Sequence, residues 1–392
     1  MPTRRAPARA IASRETVTTT RAPDESLHTL ALACIPGVGP ARVRKLLERH
    51  PVASEALARL GLGEREVQAA LATARSVRDR CAARGVDVVT CTEARYPQGL
   101  HLLEDPPAAI FTLGELACAR PPAVALVGSR HATSYGRHVA RDFARGLAAR
   151  GICVVSGLAA GIDAEAHAGA LDEGGPTIAV QGTGVDVPYP RAHAALHAAI
   201  AQRGLVISEL PPGRTAHPGA FPRRNRLIAA LADVIVVVEA GPRSGALITA
   251  QLGRDLERYV AAVPGPIGVE SSLGANTLVR DGAHIITAFD DVLALLALTH
   301  RGREAMRGGV AADGEGTPAL APIAPASGSP EGEVLALLAH GPRFPDELLQ
   351  ALALSPRAVG VALSTLALDG TVTIDPSGLV RRSDGALSRR AT

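Results

Sequence analysis

From residue 86 to about 298, short continuous apolar runs alternate with longer segments whose apolar residues recur at helical spacing. The runs cover 86–90, 123–127, 153–155, 177–181, 205–208, 234–238 and 260–263. A strand that is apolar at nearly every position is covered on both faces, and strands separated by helices pair in parallel. The pattern therefore predicts an α/β fold with a central, doubly wound, mostly parallel sheet over residues 86–300. Tyr96-Pro97 and Asp105-Pro106-Pro107 read as a turn-rich connection after the first strand.

On either side the spacing is helical. In residues 26–85, Val43, Leu46 and Leu47 share one helix face, Pro40 suits a first helical turn, and Gly37-Val38-Gly39 precedes it. This predicts a helix-hairpin-helix module. Its glycine turn either offers N–H groups to a phosphate or simply joins two helices tightly. In residues 331–382, helices over 333–339 and 345–352 precede a third that Ser355-Pro356 opens and Gly370 ends, with Val359, Leu363 and Leu366 facing inward. A hairpin over 371–382 completes a winged-helix shape. Residues 1–25 read as a disordered tail, the Gly/Ala/Pro/Ser-rich 301–330 as a flexible linker and 383–392 as a second tail.

The strands end in glycine-rich turns that open helices: Gly128-Ser129-Arg130, Ser156-Gly157 with Gly161-Ile162-Asp163, and Glu239 leading to Ser244-Gly245. Such turns present backbone N–H groups and a helix N-terminus to an anion. Neither Gly-x-Gly-x-x-Gly after the first of these strands nor Gly-x-x-x-x-Gly-Lys-Ser/Thr occurs, which weighs against a dinucleotide or nucleoside-triphosphate cofactor. Phe221-Pro222-Arg223-Arg224-Asn225-Arg226 instead sets three guanidinium groups beside an aromatic ring, a pairing suited to the backbone and bases of a nucleic-acid strand.

Composition narrows the classes. The 392 residues are 47% hydrophobic, ample for a sizeable core, yet no apolar stretch reaches membrane-spanning length and no apolar region follows the Arg-rich start. A cytoplasmic protein without membrane contact is expected. The five cysteines form no Cys-x-x-Cys pair, so neither a disulfide frame nor a metal site is expected. Net charge is only +3, but residues 121–230 hold eleven Arg against seven acids, while 331–382 hold four Arg against six acids. That acidic balance argues against a sequence-reading winged helix, and so against a transcription factor led by it.

The assembled motifs resemble the DprA/Smf family of bacterial DNA-processing proteins. The resemblance runs through Tyr96-Pro97, Asp105-Pro106-Pro107, Val127-Gly-Ser-Arg130, Tyr135-Gly136, Ser156-Gly-Leu-Ala-x-Gly-Ile-Asp163-x-x-Ala166-His167, Tyr189-Pro190, Ser208-Glu209, Phe221-Pro-x-Arg224-Asn225-Arg226, Val238-Glu239-Ala240, Ser244-Gly-x-Leu-Ile-Thr-Ala250 and Val263-Pro264-Gly265. It implies a Rossmann-like domain beside a SAM-like helical module. It also implies a homodimer that binds single-stranded DNA without sequence specificity, protects it during natural transformation and loads the RecA recombinase, with no cofactor and no catalysis. After Thr249 the order Gln251-Leu-Gly253-Arg254 departs from the family's alanine-rich helix, so its dimer contacts are not carried over.

Gly128, Ser129, Arg130, Ser156, Gly157, Phe221, Arg223, Arg224, Asn225 and Arg226 are the expected nucleic-acid contacts. Arg130 reads as a phosphate ligand or an ion-pair partner, and Phe221 as a stacking platform or a plug for the sheet edge. Of Arg224 and Arg226, one is expected to touch DNA and the other to be structural, because a helix turns them apart. Gly161, Asp163, His167, Glu239, Ser244 and Gly245 are expected to shape the pocket. The rival reading is a hydrolase of a nucleotide N-glycosidic bond using Glu239 and Ser244; the turn Gly241-Pro242-Arg243-Ser244-Gly245 lacks the double glycine of such enzymes.

Overall fold

The computed structural model describes residues 24–217, 219–308, 329–339, 341–352, 354–368, 371–374 and 379–382. Residues 1–23 of the first expected tail, the second tail at 383–392 and residues 309–328 of the expected linker lie outside them; residues 24 and 25, expected in the tail, are instead the N-cap and first residue of the first helix.

Four helices come first: α1 (Glu25–Cys34), α2 (Pro40–Arg49), α3 (Ala53–Ala58) and α4 (Glu64–Ala82). Asp24 caps α1 by accepting from Leu27 N, and Pro40 opens α2, where its missing N–H costs nothing. These helices do not own a separate core. Leu30, Leu57 and Leu71 pack in one cluster with Phe111 and Val206 of the sheet and Ile200 of the helix that covers it.

Two antiparallel strands follow, β1 (Asp87–Thr90) and β2 (Ala109–Gly114). The sequence pattern misses β2, because Asp105-Pro106-Pro107 reads as continuing turn. The Tyr96 hydroxyl donates to Pro107 O at 2.7 Å, fixing that connection so that the apolar run behind it can pair.

Then comes the alternating region: β3 (Ala123–Gly128), α5 (Ser134–Ala148), β4 (Cys153–Ser156), α6 (Ile162–Asp172), β5 (Thr177–Gln181), α7 (Ala194–Arg203), β6 (Leu205–Ser208), α8 (Ala220–Leu231), β7 (Val234–Glu239), α9 (Gly245–Asp255), β8 (Tyr259–Ala262), α10 (Glu270–Arg280), β9 (His284–Ile285), α11 (Phe289–Ala297) and α12 (His300–Gly308). The sheet runs β1-β2-β6-β5-β4-β3-β7-β8-β9, parallel from β6 to β9, with β2 antiparallel to β6. Strand pleat sorts the side chains: Val124 and Leu126 enter the cluster of α5, α6 and α11, whereas Ala125 and Val127 meet Leu227 and Ile228 of α8. Each such Leu or Val, fully buried, stabilises by about 1.5–3 kcal/mol.

The first eight residues of the linker expected from residue 301 are helical instead, because α12 carries the chain to Gly308. Arg301 explains this: its Nη1 lies 3.2 Å from buried Asp233, and its Nη2 donates to the carbonyls of Ala119, Arg120 and Pro121, tying α12 to the N-terminal end of the sheet.

A second compact unit comprises α13 (Pro330–Leu338), α14 (Pro345–Ala351), α15 (Pro356–Leu368) and the antiparallel pair β10 (Val372–Ile374) and β11 (Val380–Arg382). Val334, Leu338, Leu348, Val359, Leu363, Leu366, Val372 and Val380 form its core, giving a winged helix. Gly370 and residues 375–378 lie outside the described residues. No described helix is long and apolar enough to cross a membrane.

Candidate nucleic-acid interface

The chain steps outward from β3 through β4 and β5 to β6, then returns to β7 on the other side of β3. The connections after β3 and β7 leave for opposite faces, since α5 packs with Leu126 and α9 with Val127. A crevice therefore opens at the carboxyl ends of β3 and β7, the place where such sheets bind ligands. Here it is a cleft of about 560 Å³. Its walls include Gly128, Ser129 and Arg130 after β3, Asp163 of α6, Phe221, Arg224 and Asn225 of α8, and Arg243, Ser244 and Gly245 after β7. The long crossover from β6 runs back against the strands, so the first turn of α8 arrives at their carboxyl ends.

Arg130 and Phe221 face one another across this cleft, the guanidinium carbon 5.6 Å from the ring centroid. Arg130 is exposed and has no carboxylate within 4 Å among the described residues. Phe221 is half-buried and packs on Tyr189 with centroids 5.0 Å apart. Asn225 donates to Gly245 O at 3.2 Å, joining α8 to the first turn of α9, and the Ser244 hydroxyl caps α9 by accepting from Ala246 N. Arg243 is a further exposed cation on the cleft wall that the sequence reading left out. Its signal was there, as a basic residue inside a Gly-Pro-x-Ser-Gly turn after a buried strand. Glu270 is the acid on the rim.

Several expected contacts are elsewhere. Arg223 and Arg226 both grip Glu209, at 2.9 and 2.6 Å, and Arg226 also donates to Asp105 O; neither lines the cleft. Glu209, next to the end of β6, captures the two because α8 turns them to its far side from Arg224. Ser156 is wholly buried, its hydroxyl donating to Leu126 O at 2.6 Å. Two amides assigned to a ligand are spent internally: Ser129 N donates to Glu239 O at 2.7 Å, and Gly157 N donates to Asp163 Oδ2 at 3.1 Å. Glu239 faces a neighbouring cavity and accepts from Thr133 Oγ1 at 2.6 Å, which anchors the start of α5.

Arg224 lines the cleft although only 7% exposed. Its Nη1 donates to Gly157 O at 2.6 Å and to Val180 O, and burial pushes its pKa down to about 10, opposed by the charge of Asp163. It stays cationic at neutral pH. Burial raises the Asp163 carboxyl, while Arg224 and the N–H groups of Ala159 and Gly157 hold it back.

His167 does not shape the cleft. It lies in the core, its Nδ1 2.8 Å from Thr177 Oγ1. The Thr177 hydroxyl donates to Val154 O, so the imidazole must be the donor through Nδ1–H, leaving Nε2 bare and unpartnered. Burial pushes its pKa down to about 3. The folded state thus excludes a proton that the unfolded chain binds below pH 6.5, and stability falls as pH drops from 6.5 towards 3 by about 1.4 kcal/mol per unit from this group. His167→Asn, which keeps a donor for Thr177, is expected to remove about one proton from the pH slope of the unfolding free energy between pH 6 and 4.5. Urea titrations across that range read it, and identical slopes would exclude His167 as the cause.

The comparisons with known proteins coincide with this geometry. The family model for DNA recombination-mediator protein A matches residues 87–297, more than half of the chain, and that for the DprA winged helix domain matches 318–378. A Mycobacterium tuberculosis chain provisionally named DNA processing protein DprA is 51% identical over 189 residues, covering 48% of this chain and 49% of the relative, so this chain spans about half the length of that relative. The X-ray structure of DNA processing protein A from Streptococcus pneumoniae is similar at a TM-score of 0.62 and 33% identity, over 69% of this chain and 97% of that one. DNA processing protein A from Helicobacter pylori, whose structure was described for its single-stranded DNA binding mode, matches at a TM-score of 0.50 and 30% identity, over 54% and 95%. With its doubly wound sheet, its cleft at the strand reversal and its winged helix, the chain belongs to the family of DNA recombination-mediator protein A, the DprA/Smf family.

Proposed function

We propose that the cleft binds single-stranded DNA, phosphates on Arg130 and Arg243 and bases on Phe221, with little dependence on sequence. The observation that carries this reading is the pairing, in one cleft, of an exposed guanidinium with an aromatic ring: backbone charge and base face are both met, and neither contact names a base. Asn225, Ser244 and Gly245 tie α8 to the start of α9, and Gly128 and Gly157 let Glu239 O and the Arg224 guanidinium approach closely. On this reading the protein is a cytoplasmic homodimer that shields strands taken up in natural transformation and helps RecA load onto them. The winged helix, with its acidic balance, serves a protein contact.

A binding role without catalysis fits the carboxylates better than the N-glycosidic hydrolase does. Asp163 accepts from two backbone N–H groups and Glu239 from Thr133, so each is committed to structure. Fluorescence anisotropy with labelled single strands and duplexes of equal length, beside an assay for base release from nucleoside monophosphates, tests this. Tight single-strand binding without release is the expected outcome; base release would transfer the site to the hydrolase.

Arg130→Ala is expected to weaken single-strand binding about tenfold and to flatten the log K against log salt slope by about 0.7, the share of one phosphate. Phe221→Ala is expected to cost about 1–3 kcal/mol with the slope unchanged, because stacking releases no counterion. If both variants bound as the parent does, the groove would lie elsewhere.

A further inference from the structure

Helix α2 carries a charge pattern that its own stability does not explain. Arg42, Lys45 and Arg49 are exposed and fall at i, i+3 and i+7, so the three stand on one stripe of the helix. Like charges three and four residues apart repel, and Arg42 adds a cation to a first turn that holds no acid, where the helix dipole favours an anion. The one carboxylate of α2, Glu48, is taken by Arg44 at 2.7 Å. None of the three cations has a carboxylate within 4 Å among the described residues. Helix α5 shows the contrast: Arg141 is met by Glu165 and Asp172, and Arg145 by Glu173, each from outside the helix. A local cost that the fold leaves uncompensated marks a functional surface, and an anion lying along the stripe would relieve this one.

Charge, length and place select that anion. The stripe runs about 10 Å along the helix, and successive phosphates of one nucleic-acid strand rise by about 3.4 Å, more when the strand is drawn out, so it faces about two or three of them. Its exposed neighbours on α2 are Ala41 and Glu48, which give no ring for a base. Pro40 and Val43 of α2 wall a pocket together with Arg223 of α8, while Phe221 and Arg224, in the same turn of α8, wall the cleft. One turn of α8 therefore separates the helical module from the place of the bound strand.

We propose that Arg42, Lys45 and Arg49 form a second contact surface, which takes the phosphates of the single strand where it leaves the cleft past Phe221. This rests on the single-strand reading of the cleft and extends it: α2 makes binding sensitive to the length of the strand and adds nothing to the reading of its bases.

The test measures affinity for single strands of about 6 and about 20 nucleotides, within and beyond the usual span of one binding domain, in the parent and in the triple variant Arg42→Gln, Lys45→Gln, Arg49→Gln. Glutamine keeps the helix propensity, and Arg44, which holds Glu48 and Leu103 O, is left in place. The triple variant is expected to bind the long strand about tenfold more weakly at low salt, with its log K against log salt slope flatter by about 2, the share of three phosphates, and to bind the short strand as the parent does. Lys45 is the one lysine of the chain, so a lysine-directed acylating reagent gives a second readout on the unaltered protein: the long strand should slow acylation of Lys45 and the short strand should not. Unchanged long-strand affinity in the variant, or Lys45 acylated at the same rate with and without the long strand, overturns the role of α2 and leaves the cleft intact. Equal losses on both lengths overturn it too, because a field felt at a distance needs no contact, and a loss confined to duplexes would give the stripe to duplex DNA instead. Failure of the parent to bind the short strand removes the cleft reading on which this inference rests.

Discussion

Gly161→Ala is expected to lower stability by about 3–4 kcal/mol and to weaken single-strand binding more than tenfold. Gly161 precedes α6 with φ +79° and ψ −123°, a region open essentially to glycine alone, which costs other residues about 1–3 kcal/mol. Sterics add to this. An alanine Cβ there would overlap the Ser129 carbonyl oxygen and lie 2.9 Å from Arg130 O. These are backbone atoms and cannot swing aside, because Ser129 is held at both ends: its N–H on Glu239 O at 2.7 Å and its carbonyl by Ile162 N at 3.2 Å. Relief must come from moving the turn that carries Arg130, and with it the cation facing Phe221. Gly213 provides the control, with φ +82° and nothing within 4 Å of an added Cβ. Gly213→Ala carries conformational strain alone, about 1–2 kcal/mol. Chemical denaturation and anisotropy on both variants separate the causes: if Gly161→Ala proved no worse than Gly213→Ala in either measurement, the close approach to Ser129 would not matter.

How far the sequence reveals this site depends on whether a feature is periodic or relational. The parallel strands were legible because burial on both faces leaves a continuous apolar run, and the cleft's position followed from where those runs end. Arg130 and Phe221 were legible as candidates because each follows a signal local in sequence. The division of labour among Arg223, Arg224 and Arg226 was not, since it depends on Glu209, which the fold brings up from the end of β6. Helical geometry said only that they must part. Ser156 and His167 misled for a related reason: a polar residue at a strand end or on a short helix looks the same whether it faces a cleft or satisfies a buried neighbour, as Ser156 does for the backbone carbonyl of Leu126 and His167 for the hydroxyl of Thr177.

Arg224→Met should be the most destabilising side-chain change in the cleft, by about 3–5 kcal/mol, the usual cost of breaking a buried charge arrangement by removing one member. Methionine fills much of the space but gives nothing to the carbonyls of Gly157 and Val180, and it leaves Asp163 buried without the cation that opposes its desolvation. The signature lies in pH. Loss of Arg224 raises the folded-state pKa of Asp163 further above its unfolded value. A group raised in this way contributes stability below the unfolded pKa and loses it as pH rises through the folded one. The deficit of Arg224→Met relative to the parent is therefore largest near neutrality and narrows as pH falls towards 4. Asp163→Asn removes the charge that needs Arg224, so in the Arg224→Met background it is expected to cost less than in the parent, by about 1–3 kcal/mol of coupling. Urea denaturation of the four proteins at pH 7 and pH 4.5 measures both effects. Strict additivity, with a deficit that does not change with pH, would mean that Arg224 acts through its hydrogen bonds to Gly157 and Val180 alone and that its charge and that of Asp163 are independent.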